Sequence, residues 1–156
     1  MAHINPNKLV DTITIYNVWK DPNTGKSGYW RSFVQQVRLM DKASTVNVAS
    51  IGWTRVVTQE MLVDAQNSIA YSADENDNQV TKVYAEPSEW AAMSTDQKQA
   101  FWTMQEGDYV VPGECEIIIP PDAVTKLTAL RPRKIGSVNM VRQKGGDTNH
   151  WEVSLV

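Results

Sequence analysis

Cysteine is nearly missing from this chain: Cys115 stands alone among 156 residues. A single cysteine excludes an intramolecular disulfide and a cysteine-based metal site. Inside the apolar run "ECEIIIP" it reads as a small buried hydrophobe, and a reducing compartment would suit the chain. Histidine is almost as scarce, with only His3 and His150. His3 falls in residues 1–10, expected to be a flexible N-terminal tail, so no His–His metal site is expected. The chain has no apolar run long enough to span a bilayer. Its first residues, "MAHINPNKLVDT", have no apolar core of a secretory signal, so none is expected. Internal repeats and low-complexity tracts are missing as well. So are a Gly-rich phosphate loop, a nucleophile elbow and a paired-histidine metal helix. The glycine pair in "QKGGD" has no following helix to complete a phosphate cradle. The expectation is a protein that is not an enzyme and holds neither cofactor nor metal.

What is present is a globular composition, 42% hydrophobic and 21% charged. A chain of this length reads as one domain, residues 1–156, able to bury a core without covalent staples. The net charge of −3 argues against a dedicated nucleic-acid binder. The charge is nonetheless segregated. Between residues 58 and 89 seven acidic side chains (Glu60, Asp64, Asp74, Glu75, Asp77, Glu86, Glu89) face one lysine, a net of −6. Between residues 120 and 144 six basic ones (Lys126, Arg131, Arg133, Lys134, Arg142, Lys144) face Asp122, a net of +5. Opposite poles of this kind can steer subunit against subunit. Glu60, Asp64, Glu86 and Glu89 are the candidate patch on one side, and Lys126, Arg131, Arg133, Lys134 and Arg142 on the other. Two solvated faces would leave the same pattern.

The patterning is mostly that of strands. "TITIYNVW" alternates β-branched and polar residues, and "KDPNTGKSG" is turn chemistry. "YWRSFVQQVRLM" then pairs back as a hairpin strand, with Tyr29, Phe33, Val37 and Leu39 on one parity and length enough to bend. Residues 41–66 carry strand-like pieces without punctuation, so they form either an extra hairpin or a functional loop. "SIAYSA" and "QVTKVYAE" are strands flanking the acidic tip "DENDN". Residues 41–66 and 72–79 are the candidate projecting loops. The tip lacks the glycine and closing glutamate of a calcium loop. Residues 87–104 read as a short helical insertion. Pro87 suits a first helical turn, Ser94 and Gln97 form a capping box, and Gly107 is placed to stop the helix. "YVVPGE" and "CEIIIP" read as strands. A short helix over 122–130 would have Asp122 as cap and Ala123, Leu127 and Leu130 on one face. "KIGSVNMVRQK" and "HWEVSLV" close the chain as a hairpin around "GGDTN". The class is mainly β: about six to nine antiparallel strands in a small barrel or sandwich.

Six tryptophans supply core anchors or interface anchors. Trp90, Phe101 and Trp151 are the expected core anchors. In the last strand, alternation turns Trp151, Val153 and Leu155 inward and His150, Glu152 and Ser154 outward. His150 and Glu152 then lie about 7 Å apart along the strand, beyond unaided hydrogen-bond reach.

The order of "TITIYNVW", "YWRSFV", "NSIAYSA", "EWAAMSTDQKQAFWTMQEGDYVVPGE" and the closing "HWEV" resembles small structural proteins of phages and prophages of Gram-positive bacteria. The resemblance is to head-completion proteins of the stopper, or head-closure, type. It implies a β-barrel in a homo-oligomeric ring at the virion neck, assembled in the host cytoplasm. That ring would lie between the portal and adaptor complex and the tail terminator or tail-tube proteins. Packaged double-stranded DNA would pass its lumen without specific binding, and no membrane would be involved. Asp74, Glu75 and Asp77 are the candidate channel-facing loop, because carboxylates repel phosphate. A tail-terminator or tail-completion ring stays open as the alternative, as does a non-viral β-barrel binding module.

Overall fold

The computed structural model describes residues 9–64, 68–73, 76–141 and 149–156. In chain order they form β1 (Asp11–Lys20), β2 (Ser27–Val48), β3 (Gly52–Asp64), β4 (Ala70–Ala73), β5 (Gln79–Tyr84), α1 (Pro87–Ala91), α2 (Thr95–Lys98), β6 (Phe101–Trp102), β7 (Tyr109–Pro112), α3 (Val124–Thr128), β8 (Arg133–Val141) and β9 (His150–Leu155). Six strands close a barrel in the order β1-β7-β8-β9-β3-β2, with β2 returning to β1. Every neighbouring pair in it is antiparallel. Closure removes the open edges that a six-stranded sheet would otherwise present. β4, β5 and β6 extend from β2, and β5–β6 is a parallel pair.

The alternation read from sequence fills the barrel. Ile13 and Ile15 of β1, Met61 and Val63 of β3, and Trp151, Val153 and Leu155 of β9 meet in one core with Val34, Val37, Trp102 and Val110. β2 departs from simple alternation. Gln36 takes φ 59°, and the β1–β2 register slips there, from Ile13↔Val34 to Asp11↔Val37. The extra residue is a bulge that flips parity. Val34 and Val37, three apart, both reach the core, which the single-parity reading did not foresee.

A second apolar cluster lies outside the barrel wall. Tyr16, on the outward parity of β1, is buried with Ile119 and Leu127, and its hydroxyl donates to the Ile117 carbonyl at 2.7 Å. The run "CEIIIP" is therefore no strand. It crosses the barrel as irregular chain, with Ile119 buried, Ile118 71% exposed and Cys115 half-buried. α3 presses Leu127 into the same cluster, beside Ala123 and Leu130. Asp122 is not its cap. Its carboxylate accepts from the Ser27 N–H at 2.8 Å instead. The helical insertion ends at Lys98, short of residue 104, because Phe101 and Trp102 pair with β5. Its capping box of Ser94 and Gln97 is present. Gly107, at φ 93°, turns the chain ahead of β7 and stops no helix.

The tail expected over 1–10 is corrected at Leu9, which is buried against Leu62 and Met40. Residues 1–8 lie outside the described residues.

Candidate functional site

Residues 41–48 and 52–64 are strand around a turn at 49–51, so the loop reading of 41–66 gives way to the hairpin reading; residues 65 and 66 lie outside the described residues. β2 and β3 pair from Val37↔Val63 out to Val48↔Gly52. β1 accompanies β2 only as far as Val37, and β9 accompanies β3 only over Gln59–Asp64. From Asp41 to Val48 and from Gly52 to Val57, the two strands pair with each other and with no third strand among the described residues. Eight residues of extended chain make an arm of roughly 26 Å. Its root is clamped where Asp11 Oδ2 accepts the Leu39 N–H at 2.9 Å. At its tip Gly52 takes φ 78°, which closes a three-residue turn over Ala49–Ile51 without the penalty a side chain would bring. The tip is apolar on the outside. Ile51 is 68% and Trp53 73% exposed. An isolated two-stranded ribbon is marginal in water, and exposed strand edges invite pairing. Trp53 is the large anchor that protein interfaces concentrate.

The acidic tip over 72–79 is a turn between β4 and β5. Asp77 is exposed there at φ 61°, and Asp74 and Glu75 lie outside the described residues. Of the acidic patch candidates, Glu86 and Glu89 are exposed and Glu60 is half-buried. Asp64 is fully buried and so is removed from any surface patch. It stands across from His150 in the β3–β9 ladder. Lys126, Arg131, Arg133 and Lys134 are exposed, with the Lys134 ammonium 5.4 Å from the Tyr109 ring centre. Arg142 lies outside the described residues.

His150 corrects the outward reading of its strand. It is fully buried, and its Nε2 lies 3.3 Å from Glu152 Oε1, so the pair is within reach after all. Its parity is outward as alternation requires, and it is buried all the same, between Asp64 and Val141 in the ladder. Trp151 is a core anchor as expected, 6% exposed, packed against Tyr84 with ring centres 4.6 Å apart. Phe101 is half-buried, and its neighbour Trp102 takes the core position.

Two buried polar assemblies escaped sequence reading. Asp108, 1% exposed, accepts from Asn17 Nδ2 at 2.8 Å, the Val18 N–H at 3.0 Å, and the Gln105 N–H and side-chain amide at 3.2 and 3.3 Å. It ties β1 to the turn before β7. Burial pushes its carboxyl up to about 7, and the four donors pull the other way. Lys98, fully buried, has its ammonium 4.3 Å from the Trp19 ring, 5.0 Å from Trp90 and 5.9 Å from Trp30. It donates to the carbonyls of Ala91 and Met93. Three aromatic faces and two carbonyls stabilise a charge that burial alone would expel. The only sequence trace of this cage was the high tryptophan count.

Among the described residues no group of three or more histidine, cysteine, aspartate or glutamate side chains could hold a metal ion. No helix among them is long and apolar enough to cross a membrane. A closed antiparallel barrel bearing a two-stranded arm with an exposed apolar tip defines a small β-barrel protein. The chain belongs to a family of unknown function, DUF6751, whose model matches residues 9–155. No curated protein and no solved structure matches it.

Proposed function

We propose that the chain is a structural subunit of a phage or prophage neck, of the head-closure type, and that it joins its ring through the arm. The arm carries this reading. It continues past the barrel with, among the described residues, no ladder partner on either outer edge, and holds Trp53 at 73% exposure. Such an element is stabilised when a neighbour covers it. In a head-to-tail ring each subunit meets the next through two different patches, and the arm supplies one of them. The barrel supplies a rigid wall. The exposed Asp77 turn faces the lumen in this reading, where a carboxylate keeps DNA from adhering. The place in the neck rests on the sequence resemblance.

The test has two readouts. Native mass spectrometry of the chain mixed with a phage portal–adaptor complex from the same genome should show a ring on that complex, if the reading holds. Trp53→Ser should abolish the ring while the thermal unfolding midpoint of the subunit stays within a few degrees. Spontaneous hexamers that bind tail-tube protein instead would replace this reading by a tail terminator. A chain that assembles with neither would overturn both.

A further inference from the structure

Among the described residues, β2 carries an unfilled stretch of edge beside a cleft lined by two cations. Val18 of β1 faces Tyr29 in the ladder, yet its N–H turns away from β2 to Asp108. On β2, Ser27 exchanges bonds with Asp122 at 2.8 and 2.9 Å, and the Gln35 N–H donates to Ile69 at 2.8 Å. The odd-numbered residues from 27 to 35 therefore turn their backbone groups away from β1, as an antiparallel ladder requires. Asp122 covers this edge at Ser27, and β4 covers it at Phe33 through Tyr71. Between them, Tyr29 and Arg31 have no ladder partner on that side among the described residues. One side-chain bond reaches in: Lys82 Nζ donates to the Arg31 carbonyl at 2.9 Å.

Here β2 and the β4–β5 pair diverge around a cavity of about 570 Å³, lined among others by Tyr29, Trp30, Arg31, Ser72, Lys82 and Ile118. Two cations line it and, among the described residues, no carboxylate does. Lys82 is 6% exposed. Burial, and then the Arg31 charge, bring its ammonium down to about 8. Ile118, exposed at 71%, and the rings of Tyr29 and Trp30 give the walls an apolar character.

We propose that this cleft is a strand-addition site for an acidic peptide: an extended partner segment of about four residues pairs with Tyr29 and Arg31, and its aspartate or glutamate lies between Arg31 and Lys82. The backbone edge supplies affinity without regard to sequence, and the two cations select the carboxylate. The occupant is a segment of another protein. The inference concerns a surface other than the arm, and the neck reading can fail without affecting it.

Amide NMR of the full chain tests it with acetylated, amidated pentapeptide pools holding glutamate, or glutamine, at the centre. The glutamate pool should shift the Tyr29 and Arg31 amides and slow their exchange, and the glutamine pool should bind about tenfold more weakly. N-methylation of alternate peptide bonds should abolish the effect. Arg31→Gln keeps a side-chain N–H that can serve the Cys115 carbonyl, to which the half-buried guanidinium donates at 3.4 Å, and should weaken binding by about tenfold with the barrel amides outside the cleft unshifted. Lys82→Met should do the same, and the Arg31 variant decides the matter should Lys82→Met fail to fold. Equal binding of the two pools, or indifference to N-methylation, would overturn the proposal. So would acetate or inorganic phosphate shifting the same amides as strongly, which would make the cleft a small-anion site. Shifts that grow with protein concentration alone would assign the edge to a second copy of the chain and overturn it too.

Discussion

Three side chains carry separate physical arguments. Trp151 packs its ring on Tyr84 and Trp102 inside the barrel. Replacing it by alanine leaves a cavity that rigid strands cannot collapse, and urea unfolding should show a loss of about 3–5 kcal/mol. A near-neutral variant would refute its place in the core. Asp108 titrates in an unusual direction for a carboxylate, since its folded value is raised to about 7. The folded chain then binds the proton more tightly than the unfolded one. The stability this group contributes is complete below its unfolded value near ~4 and is lost as pH rises through about 7. Asp108→Asn should flatten stability against pH over that window. It should also cost about 1–3 kcal/mol, because an amide presents its own N–H to neighbours that all donate. Denaturant titrations from pH 4 to 8 measure both effects. Lys98→Met keeps roughly the length and puts a sulfur among the three tryptophans, but it strips the donor from the carbonyls of Ala91 and Met93. A loss of about 1–3 kcal/mol follows, and an unchanged melting curve would show that the cage does no stabilising.

At the level of elements, the arm and the barrel are held differently. The barrel part of β2 is sandwiched between β1 and its other neighbours, whereas the arm has one ladder only among the described residues. The arm should therefore open on its own, well below the free energy of global unfolding. Gly52→Ala is the probe. No atom lies within 4 Å of the added carbon, so its penalty is that of the left-handed backbone alone, about 1–2 kcal/mol. Amide exchange should quicken along 41–58 while the barrel keeps its unfolding midpoint. A cooperative loss of both would show that the arm belongs to the barrel's folding unit. The short helices sit at the opposite extreme. Neither α1 nor α2 exceeds five residues, and each is too short to persist without packing. Trp90, Lys98 and the capping box hold them to the barrel.

For the molecule as a whole, segregated charge and a projecting arm would let the proposed ring subunit meet its neighbours in one orientation. If the exposed Glu86 and Glu89 meet Lys126, Arg131, Arg133 and Lys134 of the next copy, salt screens the contact. Assembly on the partner complex should weaken as sodium chloride rises from about 50 to 500 mM, while an arm-only contact would be indifferent. Light scattering across that range separates the two.

How much of this was legible in the chain follows from the range of each interaction. Alternation is local, so "TITIYNVW" and "HWEVSLV" announced their strands and their inward faces before any partner was known. The Ser94–Gln97 box is local too, and it was readable for the same reason. The bulge at Gln36 was not, because an ordinary residue adopts φ 59° there only under the pull of two ladders. Nor could alternation show that Tyr16, Asp64 and His150, all outward in parity, are buried. Over Tyr16 the run ending at Ile119, distant in sequence, folds onto the outside of the wall. The mainly β class, the turns and the absence of a cysteine framework were set by the sequence itself, through periodicity and composition. Barrel closure, the Lys98 cage, the Asp108 cluster and the stretch of β2 edge without a ladder partner among the described residues at Tyr29 and Arg31 were decided only in three dimensions. Each depends on contacts between residues far apart in the chain, and no local pattern encodes those contacts.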